Sequence, residues 1–337
     1  MADTSLPTLK AKDFSSDQDV RWCPGCGDYS ILNAVQRVCA NIGATRENSV
    51  FISDIGCSSR FPYYMDTYGC HTIHGRAPGF VTGVKMANPD LDVWMITGDG
   101  DGLSIGGNHL MHLLRRNVNV NAMLFNNRIY GLTKGQYSPT TVPGMKTPST
   151  PFGSLDAPFN PIALALSAKA SFVARAVDVM GPHLQEILAA AAAHEGSAFI
   201  EIFQNCNIFN DGAWDHLVDR EVRSEMLVDL RPGEKAIFGA QKDKALVLDG
   251  FTPKVVNVAD VDENDIITWD VEANPALSYI MASMTEGELP TAIGIFRDVK
   301  RESFDAGTHR QIADARAKFG EGSLEKLVYA GDMWEVK

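Results

Sequence analysis

Two spacings of apolar residues alternate along the first two thirds of the chain. One pattern has a period near 3.6 and predicts a helix from Asp28, which would cap it, to Gly43, which would end it, with its apolar face at Ile31, Leu32, Val35, Val38, Cys39 and Ile42. Further helices are predicted at 79–86, 107–116, 161–169 and 182–194. Short apolar runs predict strands at 50–52, 93–96, 118–125, 172–177 and 198–203. This alternation indicates an α/β fold with a doubly wound, mostly parallel sheet covered by helices.

The pattern changes in two other parts of the chain. Residues 137–161 are rich in Pro, Thr, Ser and Gly, which predicts a long irregular segment of the kind that often covers an active site. Beyond about residue 242 the periodicity weakens. We therefore predict a cofactor-binding unit at 1–241 and a C-terminal arm or small subdomain at 242–337 that packs on neighbouring subunits.

Composition narrows the class of protein. The 337 residues are 45% hydrophobic and 21% charged, as in a globular protein, and 30 basic against 42 acidic residues give a net charge of −12. This charge disfavours nucleic acid as a partner. The first twenty residues are polar and unlike a signal peptide, and no apolar stretch approaches the roughly 20 residues of a membrane span. We expect a cytoplasmic protein without a membrane partner.

Four chemically suggestive residues each follow a predicted strand: Cys57, Asp99, Asn127 and Cys206. In open α/β sheets, ligands bind beyond the carboxyl ends of the strands. These four positions are therefore expected to meet at one edge of the sheet.

The segment Gly98-Asp99-Gly100, followed downstream by Asn126-Asn127, has the form of a metal-diphosphate site. Mg²⁺ prefers oxygen ligands, and Asp99 offers a carboxylate, Asn127 an amide oxygen and Ile129 a backbone carbonyl. Glycines allow backbone amides to approach phosphate oxygens. Gly-Asp-Gly alone also occurs in ordinary turns. Its spacing from the second segment and the strand before each half favour a thiamine diphosphate site.

Six cysteines in a chain expected in a reducing compartment are more typical of ligands, catalysts or core residues than of disulfides. Cys23 and Cys26 form Cys-Pro-Gly-Cys, but the predicted helix begins after the second cysteine, which disfavours a thioredoxin-like dithiol. With Cys57 and Cys206 they could bind zinc or an iron–sulfur cluster. Cys39 lies on the apolar face of its helix and is assigned to the core, and Cys70 is not assigned as a ligand.

Several motifs, taken together in this order, resemble the β subunit of 2-oxoacid:ferredoxin oxidoreductases. They are DIGCSSR at 54–60, HTIHGRA at 71–77, GDGD at 98–101 and NNRIYGLTKGQ at 126–136. The similarity runs from about residue 22 to residue 210, and within the family it is greatest to 2-oxoglutarate:ferredoxin oxidoreductase. It implies the diphosphate-domain type of thiamine-binding fold.

The resemblance also implies roles for individual residues. It places a 4Fe-4S cluster on Cys23, Cys26, Cys57 and Cys206. It implies that Mg²⁺ is held by Asp99, Asn127 and Ile129. His74 would bond a diphosphate oxygen, although a buried structural histidine is an equal alternative on sequence alone. The full set of implied thiamine diphosphate contacts is Ile55, Gly56, Cys57, Ser58, His74, Gly98, Asp99, Gly100, Asp101, Asn127, Ile129, Gly131, Leu132 and Thr133.

By the same analogy Arg60 and Lys134 would contact the 2-oxo acid and Leu132 would shape its pocket, whereas either cation could instead be an ordinary surface residue. The implied reaction is CoA-dependent oxidative decarboxylation to acyl-CoA and CO₂, with electrons leaving one at a time through the cluster to ferredoxin. Its reversal is the reductive carboxylation of a reductive tricarboxylic acid cycle. The thiamine-activating carboxylate is expected on an α subunit, in an αβ heterodimer or a dimer of it.

Two other hypotheses remain open on the sequence. One is a non-redox thiamine diphosphate-dependent decarboxylase or carboligase subunit with a structural zinc. The other is a non-catalytic metal-binding scaffold.

Overall fold

The computed structural model describes residues 9–284 and 289–336. Residues 1–8 of the first predicted unit, and 285–288 and 337 of the second, lie outside the described residues. The strands of the described chain are β1 (Ser49–Ser53), β2 (Tyr68–His71), β3 (Asp92–Gly98), β4 (Val120–Asn126), β5 (Ile129–Tyr130), β6 (Gln136–Tyr137), β7 (Phe172–Val177), β8 (Ser197–Phe203), β9 (Leu227–Leu230), β10 (Ile237–Phe238), β11 (Lys244–Asp249), β12 (Thr252–Asn257) and β13 (Thr291–Asp298).

Helices connect most of these strands. They are α1 (Asp28–Asn41), α2 (Ala77–Ala87), α3 (Asp99–Leu103), α4 (Gly107–Arg116), α5 (Pro161–Ser167), α6 (Gly181–Ala193), α7 (Asp215–Val218), α8 (Arg223–Met226), α9 (Ala276–Ser283), α10 (Phe304–Phe319) and α11 (Leu324–Val328). Short 3₁₀ turns lie at Ala11–Phe14, Ser58–Tyr64, Val258–Asp260 and Glu263–Asp265. Within the described ranges, no helix combines the length and apolar character needed to cross a membrane.

Eight strands form the main sheet in the order β2-β1-β3-β4-β8-β7-β13-β9. Neighbouring strands pair in parallel except β13, which runs antiparallel to β7. Side chains of β4 enter two hydrophobic clusters, with Ala122 and Leu124 in one and Met123 and Phe125 in the other. Because successive strand residues point to opposite faces, the sheet is buried on both sides, as the sequence predicts.

The predicted helices and strands of the first two thirds are confirmed, with ends that differ by a few residues. The helix predicted at 107–116 and the strand predicted at 172–177 have the same bounds in the structure. Between residues 138 and 160 the structure contains neither helix nor strand, as expected for the irregular segment.

The start of α1 differs from the prediction. Gly27, not Asp28, is the capping residue, and no side chain caps the helix. A Cβ atom on Gly27 would lie 1.9 Å from Oδ2 of Asp178, so a distant loop requires glycine there. Asp28 is instead the first helical residue, and burial raises the pKa of its carboxyl to about 7. Prediction of the cap was therefore wrong because a tertiary contact decides which residue begins the helix.

The C-terminal third is only partly separate from the main sheet. A small antiparallel sheet of β10, β11 and β12 lies outside it. In contrast, β13 inserts between β7 and β9, so residues 291–298 belong to the main sheet and not to a detached arm. Beyond β13, α10 and α11 are largely exposed. Their packing on a neighbouring subunit stays a prediction.

A chain of hydrogen bonds joins Ser171, His194 and Asp298 at the edge where β7 and β8 begin. The arrangement resembles a nucleophile triad, but Ser171 is 1% exposed and its hydroxyl donates to Asn117 Oδ1. A hydroxyl buried this deeply and already bonded to Asn117 is not accessible to a substrate, so the contact between Ser171 Oγ and His194 Nε2 at 2.7 Å is structural. The chain connects β13 to the rest of the sheet.

A buried ion pair crosses the sheet between β7 and β8. Arg175 Nε donates to Glu201 Oε2 at 2.8 Å, both side chains are 1% exposed, and Arg175 Nη1 donates to the carbonyl of Ala292 on β13. Asn126 Nδ2 donates to the other Glu201 oxygen at 2.7 Å. Charges buried this deeply are tolerated only when every polar atom has a partner.

We expect Arg175→Met to lower the free energy of unfolding by about 3–5 kcal/mol, because it leaves the Glu201 carboxylate buried without its cation. Chemical denaturation measures this loss. The matched variant is Arg46→Met, which removes an exposed pair with Asp66 at 2.6 Å and is expected to cost about 1 kcal/mol or less. Equal losses in the two variants would contradict the assignment of Arg175 as a sheet-stabilising cation.

Candidate active site

Four adjacent strands of the main sheet, β1, β3, β4 and β8, run parallel and end at the same edge. The segments that follow them carry Cys57, Asp99, Asn127 and Cys206 in that order. The predicted meeting of these four positions at one edge is therefore confirmed.

A pocket at this edge contains every residue predicted to contact the cofactor, and also Tyr130. The lining residues are Ile55, Gly56, Cys57, Ser58, His74, Gly98, Asp99, Gly100, Asp101, Asn127, Ile129, Tyr130, Gly131, Leu132 and Thr133. The structure thus brings the predicted set together. Their contacts with a bound cofactor stay predictions.

Asp99 is buried at the start of α3, where two hydroxyl groups hold it. Ser138 Oγ and Thr140 Oγ1 donate to the same oxygen, Oδ2, at 2.5 and 2.6 Å. Burial raises the pKa of Asp99 to about 6, and these hydroxyls oppose that rise by stabilising the carboxylate. The sequence predicts that the irregular segment covers a site, but it gave no indication that Ser138 and Thr140 reach Asp99.

Asn127 is fixed at the end of β4 by three hydrogen bonds. Its Oδ1 accepts from the amide of Ile129 at 3.1 Å, and its Nδ2 donates to Gln204 Oε1 at 2.9 Å. Asn210 Nδ2 also donates to the Asn127 carbonyl at 2.9 Å. The amide oxygen thus has a defined direction and one remaining lone pair, which suits a hard cation.

Asp101 connects three segments of the pocket. Its Oδ2 accepts from the amides of Ile55 and Gly75 at 2.9 and 3.4 Å, and its Oδ1 accepts from His74 Nδ1 at 2.6 Å. The His74 ring is 60% exposed, so the alternative of a buried structural histidine is wrong. Because Nδ1 is engaged by Asp101, Nε2 can donate to an anion only when the ring is protonated.

Glycine is required where Tyr130 packs against the start of α3. A Cβ atom on Gly100 would lie 2.3 Å from the Tyr130 ring, and the Tyr130 hydroxyl donates to the Gly100 carbonyl at 2.9 Å. Tyr130 therefore fixes the backbone beside Asp99. Its position inside the NNRIYGLTKGQ segment is the sequence feature that could have indicated it.

Two of the four predicted ligand cysteines, Cys57 and Cys206, lie close to Gly131. A Cβ atom on Gly131 would lie 3.4 Å from Cys206 Sγ and 3.7 Å from Cys57 Sγ. Burial, together with the charges of Asp28, Cys206 and Cys23, raises the pKa of Cys57 to about 12. Burial, Asp28 and Cys206 likewise raise the pKa of Cys26. Thiols with raised pKa values are poor nucleophiles, which argues against a reactive dithiol.

Hydrogen bonds from two other segments hold the Cys-Pro-Gly-Cys segment in place. Trp22 Nε1 donates to the Cys57 carbonyl at 2.6 Å, which ties this segment to the loop after β1. Asn207 Nδ2 donates to the Pro24 carbonyl at 2.6 Å, and the Gly27 amide donates to the Asn205 carbonyl at 3.1 Å. The loops that carry the cysteines are therefore connected before any metal binds.

The two cysteines outside the predicted ligand set pack with the hydrophobic core, as was predicted for Cys39. Cys39 is fully buried on the core face of α1, and burial raises its pKa to about 12. Cys70 is half-buried on β2 and packs against the hydrophobic core. Across residues 9–284 and 289–336, no three His, Cys, Asp or Glu side chains form a group that could hold a metal ion.

The residues predicted to contact substrate are separated in the structure. Arg60 lines a second pocket that adjoins the first and shares Ile55, Gly56 and Leu132 with it. Its wall also contains His71, whose pKa is lowered by burial and by the charge of Arg60. Lys134 is exposed and lines neither pocket. Arg60 thus lines a cavity beside the predicted cofactor pocket and Lys134 does not, and their contacts with substrate stay predictions.

Comparison with known proteins gives a consistent set of relatives. The family model "Thiamine pyrophosphate enzyme, C-terminal TPP binding domain" matches residues 54–202. The chain is 52% identical over 331 residues to the 2-oxoglutarate oxidoreductase subunit KorB of Mycobacterium tuberculosis, covering 97% of this chain and 88% of the relative. It is 49% identical over 190 residues to the β subunit of 2-oxoacid:ferredoxin oxidoreductase 1 of Aeropyrum pernix, covering 56% and 60% of the two chains.

A solved structure matches over almost the whole chain. It is the 2-oxoglutarate:ferredoxin oxidoreductase from Magnetococcus marinus with 2-oxoglutarate, coenzyme A and succinyl-CoA bound. The TM-score is 0.76 and the sequence identity 31%, with 98% of each chain covered.

The thiols should react with a maleimide in the order of their exposure and acidity. In protein prepared without metal, we expect Cys23 to be labelled fastest at pH 7.5, because it is exposed, and the fully buried Cys39 slowest. Cys57 should be slower than Cys23 because burial raises its pKa to about 12. Mass spectrometry of digests over a time course gives the order. Labelling of Cys57 as fast as that of Cys23 would contradict this electrostatic description.

Proposed function

The chain belongs to the family of 2-oxoacid:ferredoxin oxidoreductase β subunits, and we propose that it binds the diphosphate half of thiamine diphosphate and a 4Fe-4S cluster in a 2-oxoglutarate-specific enzyme. The reaction converts 2-oxoglutarate and coenzyme A to succinyl-CoA and CO₂, and its two electrons pass singly to ferredoxin. One observation carries the proposal. A carboxylate–amide pocket and the sulfurs of Cys57 and Cys206 lie at one edge of the sheet beside Gly131, and Trp22 ties the Cys-Pro-Gly-Cys segment to the Cys57 loop.

The pocket residues suit thiamine diphosphate. When bound, this cofactor supplies the carbon nucleophile that attacks a 2-oxo acid and an electron sink for its decarboxylation. Gly98 and Gly100 line the pocket beside Asp99, and so does His74, whose Nδ1 is bonded to Asp101. Neutral amides and a histidine that can be protonated are suitable partners for diphosphate oxygens.

Mg²⁺ fits the oxygen atoms beside the glycines. Asp99 contributes a carboxylate and Asn127 an amide oxygen whose direction Gln204 and Ile129 fix. The Ile129 carbonyl would be the third protein ligand. This small set of hard oxygen donors leaves positions for diphosphate and water, the usual arrangement for protein-bound Mg²⁺.

The donor chemistry of the four thiols fits an iron–sulfur cluster better than zinc. Zinc in a four-thiolate site needs every sulfur within about 2.3 Å of one atom. Zinc ligands usually come as two nearby pairs, whereas Cys57 and Cys206 are single cysteines from separate loops. A cubane is larger and accepts thiolates from separate loops, here those at 23–26, 57 and 206. Raised pKa values at Cys26 and Cys57 mean that these sulfurs need metal charge nearby to exist as thiolates.

Substrate recognition is assigned to the pocket that adjoins the cofactor pocket. A 2-oxo dicarboxylate requires fixed cations, and Arg60 lines this pocket directly beside the shared wall of Ile55, Gly56 and Leu132. Leu132 would shape the position of the keto carbon. Lys134 would contribute only after its exposed side chain folds over the pocket.

An α subunit is expected to complete the site. The pocket residues include no carboxylate free to face an aminopyrimidine ring, because Asp99 and Asp101 are both held by hydrogen bonds within the described chain. Apolar side chains next to pocket residues are also exposed, including Ile73 at 68% and Leu132 at 47%. Such exposure beside a cofactor pocket is typical of a surface that a partner covers. An αβ heterodimer, or a dimer of it, is therefore proposed.

The direct test is co-expression with the α subunit, anaerobic purification, and metal and sulfide analysis with a viologen-reduction assay on 2-oxoglutarate. We expect about four iron and four sulfide atoms per β chain, and reduction that depends on coenzyme A. Cys206→Ser should lose the cluster and the reduction. The matched variant Cys70→Ser alters a thiol outside the proposed cluster and should keep both. Stoichiometric zinc without iron in the wild-type complex would overturn the proposal.

Magnesium binding should weaken in acid. Burial raises the pKa of Asp99 to about 6, and protons compete with the cation for this carboxylate. With saturating thiamine diphosphate, calorimetric Mg²⁺ affinity should be constant above pH 7 and about tenfold weaker at pH 5. Ser138→Ala removes a hydrogen bond that lowers the pKa of Asp99, so the decrease in Mg²⁺ affinity should occur at higher pH in this variant.

Ser149→Ala provides the control for this pH dependence, because Ser149 is exposed in the same irregular segment and does not bond Asp99. Its Mg²⁺ affinity should follow the wild-type profile. If Mg²⁺ affinity did not depend on pH in the wild type, or if its decrease moved to higher pH equally in both serine variants, Asp99 would not be the titrating ligand.

A further inference from the structure

Gln204, which directly follows β8, is a buried residue that the sequence analysis did not identify. Its side chain is 1% exposed, and every polar atom of its carboxamide is hydrogen-bonded. Oε1 accepts from Asn127 Nδ2 at 2.9 Å. Nε2 donates to the Asn205 carbonyl at 2.6 Å and to Cys26 Sγ at 3.3 Å. The backbone amide of Gln204 donates to the Asn126 carbonyl at 3.0 Å, which fixes the residue against β4.

This one carboxamide joins the two halves of the site. On one side it binds the residue proposed to hold Mg²⁺, and on the other it binds a sulfur proposed to hold the cluster. Since both Nε2 hydrogens and Oε1 are engaged, the amide cannot turn without losing buried hydrogen bonds. One residue, Gln204, therefore fixes both the orientation of the Asn127 side chain and the position of the N–H donor to Cys26.

The bond to Cys26 acts on a sulfur in a low-dielectric environment. Cys26 is half-buried and packs against the hydrophobic core, and a low-dielectric environment of this kind disfavours negative charge on a sulfur. An N–H donor opposes that effect. A reduced cluster carries one more negative charge than the oxidised one, so a donor to a ligating sulfur stabilises the reduced state more and raises the reduction potential.

We propose that Gln204 is a positioning residue with two effects: it raises the reduction potential of the cluster through Cys26, and it orients Asn127 for Mg²⁺. The inference rests on the proposed function. The redox couple concerned is addition of one electron to the oxidised cluster, during which Gln204 neither gains nor loses a proton and no covalent bond changes.

Nearby amides provide a comparison within the same loop. Asn207 also holds the Cys-Pro-Gly-Cys segment, but its Nδ2 donates to the Pro24 carbonyl and not to a sulfur. Loss of Asn207 should therefore loosen the segment without removing a donor to the cluster. This makes Asn207→Ala a matched control for effects of the loop alone.

The experiment uses the purified αβ complex and follows the cluster by potentiometric EPR titration. In Gln204→Met, which keeps side-chain length but has no donor, we expect a potential at least about 59 mV lower, a tenfold loss in the equilibrium constant for one-electron reduction. Gln204→Glu at pH 8 should also lower the potential, because it replaces the donor with a negative charge. Asn207→Ala should stay at the wild-type value.

The second effect, the orientation of Asn127, is tested separately from the reduction potential by measuring Mg²⁺-dependent binding of thiamine diphosphate. Gln204→Glu still offers an oxygen to Asn127 Nδ2, so its Mg²⁺ affinity should stay close to that of the wild type. Gln204→Met offers none, and its affinity should fall several-fold because the Asn127 amide can turn. Equal affinities in these two variants would overturn the proposed orientation of Asn127.

A measurement on the wild-type complex covers the case in which the variants fail to assemble. Among the described glutamines, Gln204 has its amide within hydrogen-bond distance of a cysteine sulfur. Protein labelled with ¹⁵N at glutamine side chains should show a ¹⁵N coupling to the reduced cluster in pulsed EPR. Absence of that coupling, or an unchanged potential in a cluster-loaded Gln204→Met, would overturn this inference alone. Absence of iron from the wild-type complex would instead overturn the proposed function.

Discussion

Parallel pairing of β1, β3, β4 and β8 is the constraint on which the site depends. These strands are neighbours in the sheet, and their register places the segments after them side by side at one edge. A slip by one residue would turn the buried side chains of a strand to its opposite face, so the core on both faces fixes the register. Hydrophobic packing thereby determines the spacing of Cys57, Asp99, Asn127 and Cys206.

Buried polar groups then make this edge rigid. Asp99 is held by hydroxyls of the irregular segment, Asp101 by amides of two other segments, and Gln204 by Asn127 and Asn205. Each of these groups would be costly to leave unpaired, so the network is stable only when all its segments are in place. The polypeptide itself thus holds the polar side chains of this edge in defined directions, which reduces the reorganisation that binding of the proposed cofactors would require.

Sequence patterns predict what depends on neighbours along the chain. Periodicity predicted the helices and strands of the first two thirds, and the resemblance to a known family implied the set of residues that line the pocket at the sheet edge. Contacts between distant segments were not predictable in this way. Asp178 requires glycine at position 27, and β13 reaches the main sheet after the small three-stranded sheet. Ser138, Thr140 and Gln204 likewise act through side chains from other segments, with no local pattern that indicates them.

The most direct test of the shared edge is anomalous diffraction from crystals of the αβ complex, grown anaerobically with thiamine diphosphate and Mg²⁺. An anomalous difference map from data collected at the iron absorption edge should show a peak enclosed by the sulfurs of Cys23, Cys26, Cys57 and Cys206. The electron density should show the diphosphate beside Asp99 and Asn127. Density that appears only at the zinc edge, or a diphosphate bound away from the glycines at 98 and 100, would contradict this account.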